Sequence, residues 1–201
     1  MTTELNQQHV LPLMNIVRRL RAQGRPTPDV DPNGGGIFAK VLFLLTTASP
    51  DAVKTGIISP DNPDRTARNM RLTLSEAGFA RRSDMVFWNV VPYYVSTKDQ
   101  NRNPTAAQIR EAIPHTQAFV DELKELRVVV YCGKQAQKAH GPLRFPKGVH
   151  QLDTFHLADR SYSHLDKRED IQATFKRAYD LAMRRQKLVA KPPPRKPKQP
   201  K

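Results

Sequence analysis

Apolar runs alternate with amphipathic stretches along most of the chain. Continuous apolar, β-favouring runs over residues 40–46, 85–91 and 127–132 predict buried strands, and residues 149–154 predict a short fourth strand. Helical spacing of apolar residues predicts helices between the strands and a long final helix over about residues 171–182. The alternation predicts an α/β fold of three layers, α/β/α, with a central, mostly parallel four-stranded sheet.

Turn and capping residues set the expected limits of the internal helices. Asp64 and Gly78 have the residue types of an N-cap and a left-handed C-cap, and they flank one helix. Thr105 and Gln108 stand at capping-box spacing and open another. Pro114 is expected to kink or split that second helix, because proline cannot donate a helical hydrogen bond.

The two ends of the chain differ from its middle. Residues 1–23 predict a helix, and a loop rich in proline and glycine follows it. We therefore divide the chain into an N-terminal helix and loop packing on the core (1–36), an α/β domain (37–190) and a tail (191–201). The tail is mostly proline and lysine, which predicts an extended, disordered and basic segment.

Charge narrows the class of partner. The formal net charge is +14 and the isoelectric point about 10.2, which favours a polyanion, nucleic acid above all, or an acidic membrane surface. The last stretch carries eight basic residues and no acid: Arg184, Arg185, Lys187, Lys191, Arg195, Lys196, Lys198 and Lys201. Charge in a tail is also compatible with no specific role, so it does not by itself establish DNA binding.

Cysteine content and hydropathy exclude several classes of protein. Cys132 is the only cysteine, so neither an intramolecular disulfide nor a cysteine-ligated zinc or iron–sulfur site can form. No apolar run approaches the roughly 20 residues that a membrane span needs. We expect a soluble, cytoplasmic protein that holds no metal and does not act on membranes.

Polar residues follow three of the apolar runs. They are Thr46 to Asp51 after the first strand, Asn89 near the end of the second, and the loop from His156 to Ser161 after the last. In an open α/β sheet, ligands bind outside the carboxyl ends of the strands. The order of these segments predicts one pocket assembled from three separate loops.

An ordered set of motifs accompanies these strand ends. It comprises Asp29-Val-Asp-Pro32 before Gly35-Gly36, Ser49-Pro-Asp51, Gly56-Ile-Ile-Ser-Pro-Asp-Asn62, Thr66-Ala-Arg-Asn69, Trp88-Asn-Val-Val-Pro-Tyr93, residues 128–136 and the His156 loop. In this the chain resembles the uracil-DNA glycosylase superfamily, and within it a bacterial branch without an iron–sulfur cluster. The resemblance implies a four-stranded parallel sheet flanked by helices, a DNA groove at the strand ends and no cofactor.

The resemblance assigns the two principal site residues. Asn89 would read uracil, since a side-chain amide can pair with both a ring N–H and a carbonyl. On its residues alone, Asn89 fits the cap of a strand-end turn better, and the resemblance reverses that order. His156 would donate to the uracil oxygen on which negative charge develops. The loop departs from the family's usual His-Pro-Ser, because it reads His156-Leu-Ala-Asp-Arg160-Ser161.

The first loop departs from the family pattern. The family places an acidic or amide residue after the first strand to position water at the sugar carbon, whereas this chain has Thr46 there, or Thr47 if the register slips by one. Threonine cannot act as a carboxylate base. Asp51 and Asp61 are the nearby carboxylates that could substitute for it.

Further residues are expected around the base and the DNA backbone. The segment Gly56-Ile57-Ile58-Ser59 would lie against the base, with Ile57 or Ile58 as an apolar wall, and Asn62 is a further pocket candidate; a turn between sheet and helix is the alternative. Arg160 lies where the family inserts an apolar side chain into the base stack, and it would fill the gap or grip phosphate, with Ser161 beside it. The remaining DNA-binding candidates, each also compatible with a solvated surface charge, are Arg65, Arg68, Lys196 and Lys198.

Together these inferences predict a monomeric, monofunctional DNA glycosylase that acts on uracil or another deaminated base in single- or double-stranded DNA. Two alternatives remain open. One is a catalytically weak or inactive relative that binds DNA or a repair partner, which the missing acid at Thr46 favours. The other is a nucleotide-binding α/β module, against which the absence of a phosphate-loop motif counts.

Overall fold

A computed structural model describes residues 7–95 and 103–183 of the chain. Its strands are β1 (Asp29–Val30), β2 (Val41–Thr47), β3 (Ile57–Ile58), β4 (Met85–Val91), β5 (Val128–Cys132) and β6 (His150–Thr154). Its helices are α1 (Leu11–Ala22), α2 (Pro50–Thr55), α3 (Arg65–Ala77), α4 (Ala106–Asp121), α5 (Lys134–Gln137), α6 (Asp159–Tyr162) and α7 (Leu165–Met183). No helix within these ranges is long and apolar enough to cross a membrane.

The four predicted strands form one sheet in the order β4-β2-β5-β6, and every neighbouring pair is parallel. The chain leaves β2 for the edge strand β4 and then returns to β5 on the other side of β2. The strand order therefore reverses between β2 and β5, which is the point where open α/β sheets bind ligands. A small parallel pair, Asp29–Val30 with Ile57–Ile58, lies outside this sheet and was not predicted.

Helices cover both faces of the sheet. On one face the Trp88 ring stacks on Phe119 of α4, with 4.2 Å between ring centroids. On the other face Phe43 lies 4.8 Å from Phe175 of α7. Residues of β4 and β5 are buried along their whole length, as expected for parallel strands covered on both sides. The predicted three-layer α/β/α architecture is confirmed.

The N-terminal helix is shorter than predicted. α1 begins at Leu11, and residues 7–10 form turns, whereas the prediction started the helix at residue 1. Pro12 explains the late start, because proline lacks an N–H and fits the first turn of a helix. Leu13, Val17 and Leu20 of α1 are buried in the common core. The proposed divisions at residues 36 and 190 stay predictions, and the tail lies outside the described residues.

Helix α4 runs without interruption through Pro114, so this proline does not split the helix, and the alternative of a kink there stays a prediction. Pro114 is exposed, and the Arg110 carbonyl that loses its helical partner can therefore bond to water. The capping box of Thr105 and Gln108 forms as predicted. Burial of the opposite face, including Phe119, holds the helix in place.

The loops around the site are more structured than the sequence indicated. Asp64 caps α3 by accepting the Ala67 N–H at 2.8 Å, and Gly78 ends α3 with a φ of 97°, both as predicted. The short helix α2 was not predicted, although Ser49 caps it through the Ala52 N–H. A helix of six residues has too little periodicity to be recognised from the pattern of apolar positions.

Candidate functional site

A cleft of about 860 Å³ opens at the carboxyl ends of the strands. Its walls come from the ends of β2, β3, β4 and β6 and from the segments that follow the strands. The wall residues in these segments are 45–49 for β2, 58–60 and 62 for β3, 133–135 and 137 after β5, and 153–156, 158, 160 and 161 for β6. The three polar segments predicted from the sequence thus meet in one cleft, across the point where the strand order reverses.

Asn89 lies on the wall of this cleft near the end of β4. Its side chain and backbone together are 2% exposed, and it shares a sheet face with Phe87, which also lines the cleft. Thr116 donates to the backbone oxygens of Val90 (3.0 Å) and Asn89 (3.4 Å), which holds this strand end. Within the described residues no hydrogen bond engages the Asn89 side-chain amide, so its donor and acceptor remain available to a ligand.

His156 follows β6 on the opposite part of the cleft wall. Its Nδ1 accepts the backbone N–H of Ala158 at 3.1 Å, so the neutral ring carries its proton on Nε2. Burial lowers the pKa of His156 below the ordinary value of 6.5, the Arg160 guanidinium lowers it further, and the Asp64 carboxylate opposes both. At neutral pH the ring is therefore an uncharged donor.

Gly133 lets the histidine loop approach the end of β5. Its φ of +95° is in the region that favours glycine, and a Cβ there would lie 2.9 Å from Cβ of His156. Its N–H donates to the Thr154 backbone oxygen at 2.9 Å, which ties β5 to the start of the loop. The position of the imidazole therefore depends on the absence of a side chain at residue 133.

We expect Gly133→Ala to lower the single-turnover rate of the reaction that the resemblance implies for this site by about 10²-fold, since a displacement of about 1 Å is enough for such a loss. Gly148→Ala is the matched control. Gly148 has a φ of +94°, but a Cβ added there would meet no atom within 4 Å, so it shares the backbone strain without the contact to His156. Equal losses in the two variants would contradict the positioning role.

The two threonines at the end of β2 differ in their contacts. Thr47 donates its hydroxyl to the Tyr93 backbone oxygen at 3.0 Å, which joins β2 to the segment after β4. Thr46 also lines the cleft and is 8% exposed, and no described residue hydrogen-bonds to its hydroxyl. Thr46, rather than Thr47, is the residue free to face a ligand.

The family model of the uracil DNA glycosylase superfamily matches residues 38–180. The chain belongs to this superfamily. The matched range contains every described residue that lines the cleft. No curated protein matches the chain. Among solved structures, the crystal structure of a mimivirus UNG variant in complex with UGI is similar, with 15% sequence identity, a TM-score of 0.44 and coverage of 82% of this chain and 75% of that one.

The superfamily assignment made from the motifs is thus confirmed, while the bacterial branch without an iron–sulfur cluster stays a prediction. Within the described residues no cluster of histidine, cysteine and carboxylate side chains could hold a metal ion. Cys132 is fully buried, and this burial raises the pKa of its thiol.

The two carboxylates expected to replace the missing acid do not line the cleft of this superfamily member. Asp51 lies in α2, 3.5 Å from the Lys54 ammonium, and Asp61 lies 3.0 Å from the Arg82 guanidinium. Asp64 does line the cleft. Its carboxylate accepts from Ala67 N–H and, at 3.1 Å, from the Ser49 hydroxyl. Both carboxylate oxygens of Asp64 therefore accept hydrogen bonds that hold the fold. This assigns Asp64 a structural role and not the role of the missing general base.

Only the second half of the segment predicted to lie against the base is on the cleft wall. Ile58 and Ser59 line the cleft, whereas Gly56 and Ile57 do not. Gly56 ends α2 with a φ of +75°, and Ile57 pairs with β1. Asn62 does lie on the wall, but its amide accepts from Thr55 at 2.8 Å and donates to the Ile57 oxygen at 3.0 Å. Its amide therefore holds the turn.

Of the predicted DNA contacts, Arg160 and Ser161 line the cleft. Arg65 and Arg68 do not, and Arg65 pairs with Asp159 at 2.6 Å. Both arginines lie at the exposed start of α3, where contact with a DNA backbone outside the cleft remains a prediction. Lys196 and Lys198 lie outside the described residues.

Sequence reasoning missed several residues of the cleft wall, among them Gln135, Phe155 and Lys167. Phe155 is 39% exposed, and the Lys167 ammonium lies 6.0 Å from its ring centroid. Gln135 has a buried side-chain oxygen with no hydrogen-bond partner among the described residues, an arrangement that costs about 1–3 kcal/mol unless a ligand or water supplies a donor. Residues 133–137 after β5 could have been noted as the fourth strand-end loop of the same sheet edge.

Proposed function

We propose that the chain is a monofunctional DNA glycosylase that hydrolyses the N-glycosidic bond of uracil or another deaminated base in DNA. One observation carries this proposal: the Asn89 amide and the His156 imidazole lie on the wall of a single cleft, each with hydrogen-bonding capacity that no described residue uses. Superfamily membership supports a glycosylase of this general kind. Hydrolysis of this bond requires only water and needs no cofactor.

The amide would read the base after it leaves the DNA stack. An extruded uracil presents a ring N–H beside a carbonyl, and the Asn89 amide offers an acceptor beside a donor. Cytosine presents an acceptor and an amino group at the same positions, so one fixed amide orientation cannot satisfy both bases. Burial at 2% exposure limits reorientation of Asn89 by solvent. Hypoxanthine and xanthine present the same N–H and carbonyl pair as uracil.

The imidazole would stabilise the departing base. As the glycosidic bond breaks, its electron pair moves to the base, and negative charge develops on a carbonyl oxygen. The His156 Nε2–H can donate to that oxygen, and one such donor contributes roughly 3–4 kcal/mol to transition-state stabilisation. Water then attacks the sugar carbon, forming the C–O bond and releasing a proton to solvent. The product is free base and an abasic site.

A gel assay tests the function. The full chain is incubated with oligonucleotides that carry uracil, hypoxanthine or xanthine, in single- and double-stranded form, and alkali then cleaves any abasic sites. Strand cleavage that depends on Asn89 and His156 supports the enzyme. Absence of abasic sites with all of these substrates would contradict it.

The depressed pKa of His156 gives a pH prediction. Activity should hold as pH falls through 6.5 and decline only below the lowered pKa, because protonation places a hydrogen on Nδ1 opposite the Ala158 N–H. The unfolded chain protonates this histidine first, so folding stability also falls as pH drops below 6.5. Arg160→Gln should raise the pKa of His156 and so move the acid limb of the pH–rate profile to higher pH. An acid limb at the same pH would contradict the assignment of that limb to His156.

A second candidate function is a catalytically weak relative that binds DNA or a repair partner through the same cleft. Thr46 favours it, because this hydroxyl stands where the resemblance expects an acid or amide, and neither Asp51 nor Asp61 lines the cleft. Tight, salt-sensitive DNA binding without abasic sites would support this function over the enzyme.

We expect Thr46→Asp to raise the cleavage rate, since a carboxylate at this strand end can orient and activate water. Thr47→Asp is the control for the register, because the Thr47 hydroxyl donates to the Tyr93 oxygen and a carboxylate there would lose that bond. Single-turnover rates of the two variants decide the point. A higher cleavage rate in Thr47→Asp but not in Thr46→Asp would show that Thr47, and not Thr46, occupies the position of the missing acid.

The basic C-terminal residues 187–201, which include the tail, would add nonspecific DNA affinity. Deleting residues 187–201 removes Lys187, Lys191, Arg195, Lys196, Lys198 and Lys201, and each phosphate that is no longer neutralised reduces the slope of log K against log salt by about 0.7–0.9. Fluorescence anisotropy with undamaged DNA at several salt concentrations measures this slope. An unchanged slope would reject the role of the tail, and sedimentation of the free protein tests the expected monomer.

A further inference from the structure

One polar group of the cleft wall, the Gln135 side-chain amide, is used neither by the sequence pattern nor by the proposed base contacts. Gln135 lies in α5, directly after Gly133 and the end of β5, and it lines the cleft. Its Oε1 is buried and accepts no hydrogen bond from any described residue. The neighbouring Gln137 differs, because its amide donates to the Thr154 backbone oxygen at 3.0 Å. Gln137 is therefore held structurally, while Gln135 has a buried side-chain oxygen that lacks a donor and has to turn toward the open cleft to reach one.

The position of Gln135 follows from the strand order. Along the edge of the sheet the cleft groups occur in the sequence Asn89 on β4, Thr46 on β2, Gln135 after β5 and His156 after β6. Neighbouring strands are about 4.8 Å apart, and α5 contacts β2. A base held between Asn89 and His156 would thus lie across the ends of β2 and β5, beside Thr46 and Gln135.

We propose that the Gln135 side-chain oxygen positions the attacking water, a role that Thr46 cannot fill as a base. This inference rests on the proposed glycosylase function. Asn89 already offers an acceptor for the ring N–H of the base, so water is the reactant for which an acceptor is still needed. Once its side chain turns toward the cleft, Gln135 Oε1 accepts one water hydrogen, which directs an oxygen lone pair toward the sugar carbon. The amide takes no proton; the C–O bond forms, the glycosidic bond breaks with its electron pair on the base, and the water proton goes to solvent.

Gln135→Met tests the acceptor, since methionine has a similar length and lacks the oxygen. We expect the single-turnover rate to fall by about 10–100-fold, while the Kd for DNA carrying a 2′-fluoro-deoxyuridine, which resists cleavage, changes less than about twofold. Gln137→Met is the matched control in the same helix. It removes a structural bond, so it should lower the melting temperature more than Gln135→Met does, without that selective loss of rate.

Gln135→Glu provides a second, independent readout. A carboxylate at this position should activate the same water, so its cleavage rate should rise with pH through the ionisation of the new carboxyl group and exceed the wild-type rate at the plateau. A merely structural role of Gln135 would give no new pH dependence. Melting temperatures show that each variant folds.

Three results would overturn the inference. The first is a wild-type rate in Gln135→Met. The second is a loss of affinity for the 2′-fluoro DNA that equals the loss of rate, which would assign Gln135 to the ring N–H of the base instead. The third is an unchanged pH–rate profile in Gln135→Glu. If the wild-type chain releases no base from any substrate, the proposed function fails as well, and that failure is distinct from the other three.

Discussion

His156→Ala should lower the single-turnover rate of base release by roughly 10²–10³-fold, the loss typical of one donor to a developing oxyanion. The ring is fixed in one tautomer by the Ala158 N–H, and its pKa is lowered by burial and by Arg160. It therefore reaches the transition state as a preorganised, neutral donor. Alanine leaves the developing charge without this hydrogen bond, and water entering the space replaces it only in part.

The loss should appear in the rate and not in binding. The Kd for DNA carrying 2′-fluoro-deoxyuridine is expected to change little, because the negative charge is absent from the ground state. His140→Ala is the matched control: this histidine lies outside the cleft wall and hydrogen-bonds to Asp153 at 2.6 Å. Equal losses of rate in the two variants would show that His156 acts only through stability.

Asn89→Ala should lower the rate by roughly 10²–10³-fold and also weaken discrimination between uracil and cytosine. The variant removes an acceptor and a donor that pair with the base edge, and bonds of this kind contribute about 1–3 kcal/mol each when buried. Its melting temperature should be almost unchanged, since no described residue bonds to the Asn89 amide. Single-turnover rates and thermal unfolding measure the two effects.

Asn62→Ala is the appropriate comparison. Asn62 is also a buried amide on the cleft wall, at 6% exposure, but its amide bonds to Thr55 and to the Ile57 oxygen. Removing it should lower the free energy of unfolding by about 1–2 kcal/mol and lower the rate less than Asn89→Ala does. A larger loss of rate in Asn62→Ala than in Asn89→Ala would show that Asn62, and not Asn89, reads the base.

The sheet and most helices could be predicted from the sequence because their signals are local. The strand over residues 85–91 coincides with β4, and Asp64 and Gly78 flank α3 as predicted. Residues in these elements are buried on the faces that their periodicity indicates. The expected split of α4 at Pro114 does not occur, because the Arg110 carbonyl that loses its helical hydrogen bond can bond to water instead. The sequence pattern does not show whether that carbonyl is exposed to solvent.

The site could be predicted only in part. Asn89 and His156 were identified because the resemblance assigns them and because they lie at or just after strand ends, which share one edge in a parallel sheet. Whether a polar side chain there remains available depends on its partners, and sequence spacing carries no information about them. Asn62 proved to be bonded within its turn, Asp61 to Arg82, while Gln135 Oε1 proved to be without a partner among the described residues.

The central claim is that Asn89 and His156 act on one extruded base. ¹⁵N-edited NMR of the wild-type chain, titrated with an oligonucleotide that carries 2′-fluoro-deoxyuridine, tests it most directly. We predict that the Asn89 side-chain amide and the His156 Nε2–H resonances shift together, at the same DNA concentration, and that neither shifts with undamaged DNA. Saturating binding that moves only one of the two resonances, or neither, would contradict the account.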